Sequence, residues 1–343
     1  MATFGITGGN GFIGKHITKE LQSRGHEIVI FDHMARESVA ELMLGDVRDR
    51  TAVFEFAAHI DGIIHLAAVL GTQETISNAS PAVETNMIGG INVLEAARQY
   101  DLPLVYAGVG NYWMLNTYST TKTAIERLLY QFKNEHNSRF ATVRPVNAYG
   151  PGQRVAPPFG PGKVKKIMPA FSCRALTGKP LEVYGTGNQI SDMVYVEDVA
   201  KVFSTALEHL HNSKEIEIPI EVGPSKSLTV KEVALKVIYE ANKLTGKKSE
   251  IKYLPMRPGE KEKNDVSMDL VEKILSNLQI SDNQKIISRK LRELGTRVSA
   301  DTSTLSQIGM NSDNFLDFDL GCAKTVLWFF ENKGTTWNDP EIN

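Results

Sequence analysis

Short apolar runs alternate with amphipathic stretches through the first 150 residues of this 343-residue chain. "ATFGIT" reads as a buried strand, and "GKHITKELQSRG" as a helix stopped at Gly25. "EIVIFD" and "GIIHLAA" are the next strands, followed by a helix from about Pro81 to Tyr100. "PLVYAG" is a strand, "NTYSTTKTAIERLLYQFKNEH" a long helix, and "RFATVRP" a strand again. Strands that are apolar on both faces, separated by helices, predict an α/β fold. The expected form is a Rossmann-type, doubly wound parallel sheet, with any ligand at the carboxyl edge of the strands.

After Pro145 the texture changes. "YGPGQRVAPPFGPGK" is dense in Gly and Pro and reads as a loop. "IMPAFSCRALTG" is helix-like, "PLEVYG" a short strand, and "MVYVEDVAKVFSTALEHL" a return to strand plus helix. "LTVKEVALKVIYEANKLTG" opens on Thr229-x-x-Glu232, a capping box, and closes at Gly246. The pattern predicts a dinucleotide-binding domain over residues 1–150, joined again by about 193–222. Residues 151–192 and 223–343 would form a smaller C-terminal α/β part that binds substrate. Residues 263–300 are charged and weakly helical and carry no specific signal.

Composition narrows the class. A net charge of −2 gives no bulk attraction to nucleic acid or to acidic membranes. Cys173 and Cys322 make neither a disulfide framework nor a metal motif, and the eight histidines show no metal spacing, so no metal is expected. No apolar run is long enough to span a bilayer, and the N-terminus lacks signal-peptide features. The expectation is a cytoplasmic protein without nucleic-acid or membrane partners.

"TGGNGFIG" places Gly8, Gly11 and Gly14 between the first strand and the first helix. The first glycine permits a tight turn, the second lets a pyrophosphate approach the backbone, and the third lets helix and strand pack closely. The helix start, including Phe12 and Ile13, then offers free N–H groups to phosphate. Asp32, at the end of the next strand, can accept from both ribose hydroxyls and would repel a 2′-phosphate, which favours NAD over NADP. Arg36 weighs the other way, and a turn carboxylate is the plainer reading of Asp32. Asp46 and Val47 in "GDVRD" are offered to the adenine.

Tyr118 and Lys122, four residues apart, share one helix face. A tyrosine with a pKa of about 10 needs help of roughly 3 units, ~4 kcal/mol, to act as a base near pH 7. A lysine ammonium and an oxidised nicotinamide supply positive potential of that kind. The plainer reading is a core tyrosine and a solvated lysine.

"TGGNGFIG", "GDVRD", "HLAA", "YSTTK", "RPVNAYGPGQ" and "GTGNQISDMVYVEDVA" occur in one order. Together they resemble the extended short-chain dehydrogenase/reductases, in the NAD-dependent epimerase/dehydratase family, of the UDP-glucose 4-epimerase type. The resemblance covers residues 2 to about 260 and returns weakly in the last helix. It implies that His65, Leu66, Ala67 and Ala68 line the cofactor, with Asn86 beside it. Lys122 would bind the nicotinamide ribose and assist Tyr118, the acid/base. Pro145 and Val146 would abut the nicotinamide. Asn147 and Arg257 would contact the diphosphate of a nucleotide sugar, UDP-linked by preference. The helices near 81–100 and 117–136, the second carrying Ile125, Leu128, Leu129 and Phe132, would form a homodimer interface.

The chain also departs from the family pattern. Val109 stands at about the position of the usual Ser or Thr, nine residues before Tyr118, so much of the connection is missing. Asn111, Thr117 and Thr72 are the nearest polar substitutes, and Thr117 is equally a helix N-cap. The dehydratase Asp-Glu pair is absent, and Ser191 replaces an arginine that often meets phosphate. Lys163, Lys165 or Lys166 could compensate, or form a solvated face. The favoured activity is 4-epimerisation through a transient 4-keto sugar. Decarboxylation or an atypical dehydration is the alternative, and Val109 is the argument for a non-catalytic dinucleotide-binding protein.

Overall fold

The computed structural model describes residues 1–35, 38, 40–110, 112, 114, 116–257 and 300–337. The chain opens β1 (Thr3–Thr7), α1 (Phe12–Ser23), β2 (Glu27–Asp32), β3 (Glu41–Leu44), α2 (Arg50–Ala57) and β4 (Gly62–His65). Short helices α3 (Glu74–Ser77) and α4 (Ser80–Ala82) lead through a π-turn, Val83–Ile88, into α5 (Gly89–Gln99). β5 (Leu104–Ala107), α6 (Thr117–His136) and β6 (Phe140–Pro145) follow. Then come β7 (Ala148–Tyr149), α7 (Ile167–Leu176), β8 (Leu181–Tyr184), β9 (Val194–Tyr195), α8 (Val196–His211) and β10 (Ile220–Val222). α9 (Val230–Thr245), β11 (Ile251–Leu254) and α10 (Phe318–Glu331) complete the main elements.

Seven strands form one parallel sheet in the order β3-β2-β1-β4-β5-β6-β10. The order turns at β1 and β4, which makes the switch point that opens a ligand crevice at their carboxyl ends. Strand alternation sorts the core into two layers. Ile28, Ile30, Ile64, Val105 and Val143 pack with α1 and α8 on one face. Phe31, Ile63, Leu104, Tyr106 and Phe140 pack with α2, α5 and α6 on the other. A further core gathers α7, α9 and α10 over the small β8–β11 sheet, around Met168, Phe171, Val233, Val237, Cys322 and Phe329.

Local chemistry explains the boundaries. Asn116 caps α6, its side chain accepting from the Ser119 amide at 2.9 Å, and Asn137 ends it in the left-handed region. Thr229 and Glu232 form the expected capping box of α9, and Gly246 closes that helix. Two expectations are corrected. The strand expected through Ala68 stops at His65, because the Leu66 amide takes the last Thr7 carbonyl and the chain then leaves the sheet. The helix expected over Pro81–Tyr100 is interrupted by the π-turn, which carries Asn86 toward the loop after β4. β3, α2, β10 and β11 have patterns too short or too weak to announce themselves.

Candidate active site

The glycine loop is built as a cradle. Gly8 has φ +71°, and a Cβ there would lie 2.8 Å from the Ala67 nitrogen. A Cβ on Gly14 would lie 2.6 Å from the Gly9 Cα, so α1 and the loop touch backbone to backbone. Gly11 precedes α1 without a side-chain cap, which leaves the amides of Phe12 and Ile13 at an open helix start. This shape fits a pyrophosphate. Asp32 is buried at the end of β2 and accepts from the amides of Asn10 and Met34, each at 3.1 Å. The turn-carboxylate role is therefore real, and it places the carboxylate beside the cradle. Arg36 lies outside the described residues.

Asp46 and Val47 sit past the end of β3. Arg48 straddles the Asp46 carboxylate, with Nη2 at 2.7 Å, and holds its pKa below the usual range. Val47 is buried, and its carbonyl accepts from Asn92 at 2.9 Å. Leu66, Ala67 and Ala68 are half-buried along the strand that leaves the sheet. Asn86 ties that strand in place. Its Oδ1 accepts from the Val69 amide at 2.8 Å, and its Nδ2 donates to the Val69 carbonyl and to Thr121 Oγ1 at 3.0 Å. Pro145 ends β6, and the amide of Val146 just beyond it meets the Val222 carbonyl.

Tyr118 is half-buried in the first turn of α6, and Lys122 is 2% exposed one turn later. The Lys122 ammonium lies 4.1 Å from the centre of the Tyr106 ring, and the Tyr106 hydroxyl donates to the Lys122 carbonyl at 3.1 Å. His65 lies beside this pair, with Nδ1 2.6 Å from Thr7 Oγ1. Burial, and then the charge of Lys122, push His65 down to about 3, so the ring is neutral. The ends of β1, β4 and β5 thus form a dry floor under α6. On that floor burial pushes Tyr118 up to about 12 and Lys122 down to about 7. The lowering expected for Tyr118 is not found, because burial shifts it upward.

The polar substitutes for Val109 separate. Val109 is buried. Thr117 is not the N-cap of α6, since Asn116 holds that place. Its hydroxyl donates to the Thr75 carbonyl at 3.2 Å and so ties α6 to α3. Thr72 is half-buried in the turn before α3. Asn111 lies outside the described residues, as do residues 258–299. Asn147 donates to the Asp192 carbonyl at 2.9 Å and approaches Ser191 Oγ at 3.5 Å, so it binds its own neighbours. Arg257 stacks on Tyr184 at 4.8 Å. Its charge and that of Glu74 both act on Lys166. Tyr106 and Glu126 belong to the site and were not marked by sequence reasoning. Glu126 at one turn beyond Lys122 was the available signal. Among the described residues no group of His, Cys, Asp and Glu side chains could hold a metal ion, and no helix is long and apolar enough to cross a membrane.

The sheet order, the glycine cradle and an acidic residue closing β2 define a dinucleotide-binding α/β protein. The chain belongs to the NAD dependent epimerase/dehydratase family, which it matches over residues 5–223. It is 28% identical over 279 residues to the UDP-N-acetyl-alpha-D-glucosaminuronate decarboxylase of Bacillus cytotoxicus, covering 73% of this chain and 82% of that one. It is 29% identical over 252 residues to a putative UDP-glucose 4-epimerase of Methanocaldococcus jannaschii, covering 66% and 79%. Its fold is similar to that of the Thermus thermophilus UDP-glucose 4-epimerase solved with NAD, with TM-score 0.73 and 24% identity over 96% of this chain and 99% of that one.

Proposed function

We propose that this protein is an NAD-dependent 4-epimerase of a nucleotide sugar, a UDP-sugar by preference. The observation that carries it is Tyr118 one helical turn from a buried Lys122 whose ammonium lies over Tyr106 at the carboxyl end of β5, with the glycine loop following β1. NAD, when bound, supplies the acceptor for the two electrons leaving the sugar carbon, and its positive ring adds to the local potential. The cradle of Gly8, Gly11 and Gly14, with Asp32 at the ribose end, would hold it. Tyr118 takes the proton of the sugar hydroxyl and returns it at the end. Lys122 binds the ribose and favours the phenolate, and the apolar floor of Tyr106 and neutral His65 excludes water. The transient 4-keto sugar turns over between the two halves, so no external reductant is needed.

Tyr118→Phe keeps the ring and deletes the hydroxyl. It should leave NAD binding intact and cut epimer formation, followed by NMR of the sugar anomeric protons, by roughly 10²–10⁴-fold. Equal turnover by the variant would overturn the mechanism. The similarity to a UDP-sugar decarboxylase supports a second reading, loss of a sugar carboxylate after the same first oxidation. Carbon dioxide release from a UDP-uronic acid, without epimer, would select it. We also propose a homodimer through α5, α6 and the π-turn, where Val83 and Ile88 are exposed while Ile125 and Leu129 are spent on the protein's own core. A monomer at micromolar concentration in sedimentation would exclude that.

A further inference from the structure

A line of four charged side chains runs beneath the proposed acid/base pair. Lys122 and Glu126 follow one turn apart on α6, and Glu126 is 3% exposed. Arg144 on β6 grips the Glu126 carboxylate with both Nε, at 3.1 Å from Oε2, and Nη2 on Oε1. Its Nη1 reaches Glu221 on β10 at 3.2 Å. Glu221 in turn accepts from the Asp301 amide at 2.7 Å. The flat face of the guanidinium lies 4.3 Å from the centre of the Tyr112 ring, in the shortened β5–α6 connection.

A buried ion pair is by itself a weak source of stability, since desolvation offsets most of the Coulomb gain. What this one does is fix a carboxylate in place one turn from Lys122. Both Glu126 oxygens are taken by Arg144, so the carboxylate acts on Lys122 through its field and leaves the three ammonium N–H donors to the site. The groups facing Lys122 are His65 from β4, Tyr106 from β5, and Tyr118 and Glu126 from α6. His65 is neutral and both tyrosines are protonated near neutral pH. Facing Glu126 and its guanidinium are Tyr112, Tyr130 and Glu221. Glu126 is the group whose charge opposes the burial of Lys122.

We propose that Glu126, clamped by Arg144, is a positioning residue of the reaction, keeping Lys122 in its ammonium form beside Tyr118. The inference rests on the acid/base reading given above. With one proton removed, the pair has two forms: phenolate with ammonium, which is active, and phenol with neutral amine, which is not. The carboxylate one turn away favours the first over the second, because it is closer to the lysine than to the phenol along the helix. The two forms hold the same number of protons, so the titration belongs to the pair.

The test is the pH titration of Lys122 by NMR of the ¹³C-lysine-labelled protein, its signal assigned through Lys122→Met. Glu126→Gln leaves Arg144 an acceptor but removes the charge. The Lys122 midpoint should fall by at least roughly half a unit, about threefold in proton affinity. In turnover, the acid limb of the pH profile should move to lower pH while the plateau rate drops. Should the unpaired Arg144 prevent folding, Glu126→Gln combined with Arg144→Gln removes both charges together and should still lower the midpoint. An unmoved midpoint in a folded variant overturns the inference. A lowered midpoint in a protein whose parent turns over no nucleotide sugar supports the charge-setting role and rejects the proposed activity.

Discussion

Substituting Gly8 by alanine tests the phosphate cradle against a matched control. At φ +71° an alanine is held in the left-handed region, at a cost of about 1–2 kcal/mol. Its Cβ would also lie 2.8 Å from the Ala67 nitrogen and 2.9 Å from the Ala67 Cα. No rotamer change can relieve an overlap with backbone, so the loop and the strand leaving β4 must separate, adding roughly 1–3 kcal/mol. Gly25 at φ +87° has open space where a Cβ would stand, with no atom within 4 Å, so alanine there meets only the first cost. Urea unfolding should therefore show Gly8→Ala less stable than Gly25→Ala by about 1–3 kcal/mol. In a calorimetric titration Gly8→Ala should also lose at least about tenfold in NAD affinity, ~1.4 kcal/mol, while Gly25→Ala keeps the parent value. If both variants were equally stable and bound NAD equally, the close approach of loop and strand would be wrong.

Asn86→Ala removes the partners of both Val69 backbone groups and of Thr121, and should cost about 2–4 kcal/mol in urea unfolding; a loss under about 0.5 kcal/mol would show that the loop after β4 does not depend on Asn86. NAD should bind at least about tenfold more tightly than NADP, and Asp32→Ala should narrow the gap; equal affinities in the parent refute the assignment of Asp32 to the ribose. Burial depresses Lys122 from the ordinary lysine value of 10.5 to about 7, so between those values the unfolded chain binds the extra proton and stability rises with pH. Relative to the parent, Lys122→Met should be most stable below pH 7, and this advantage, up to roughly 5 kcal/mol, should fade toward pH 10. A pH-independent difference would place Lys122 in water.

The first half of the protein was legible because its signals are local. "TGGNGFIG" between a strand and a helix needs no long-range information to say that the backbone must come close to something, and Tyr118 and Lys122 share a face by helix periodicity alone. The same locality explains the misses. The π-turn around Asn86 goes with a hydrogen bond to Val69, seventeen positions away, and β3 and β10 pair with β2 and β6 beside them. Thr117 and Asn116 are adjacent and both can cap, and the fold separates them: Asn116 accepts from the Ser119 amide while the Thr117 hydroxyl donates to the Thr75 carbonyl.

Sequence by itself determined the alternation of the main strands and helices, the glycine loop between β1 and α1, and the shared helix face of Tyr118 and Lys122, since each is written in residues within one turn or one loop of each other. Tertiary structure decided the charge states. Whether Lys122 is an ordinary exposed amine or one pushed down to about 7, and whether Tyr118 starts from 10 or from about 12, depends on burial against Tyr106 and His65 from other strands. Glu126 looks in the sequence like one more surface carboxylate. Arg144, brought from β6, turns it into a buried charge one turn from the lysine, because desolvation and pairing depend on which groups the fold brings together and not on their spacing along the chain.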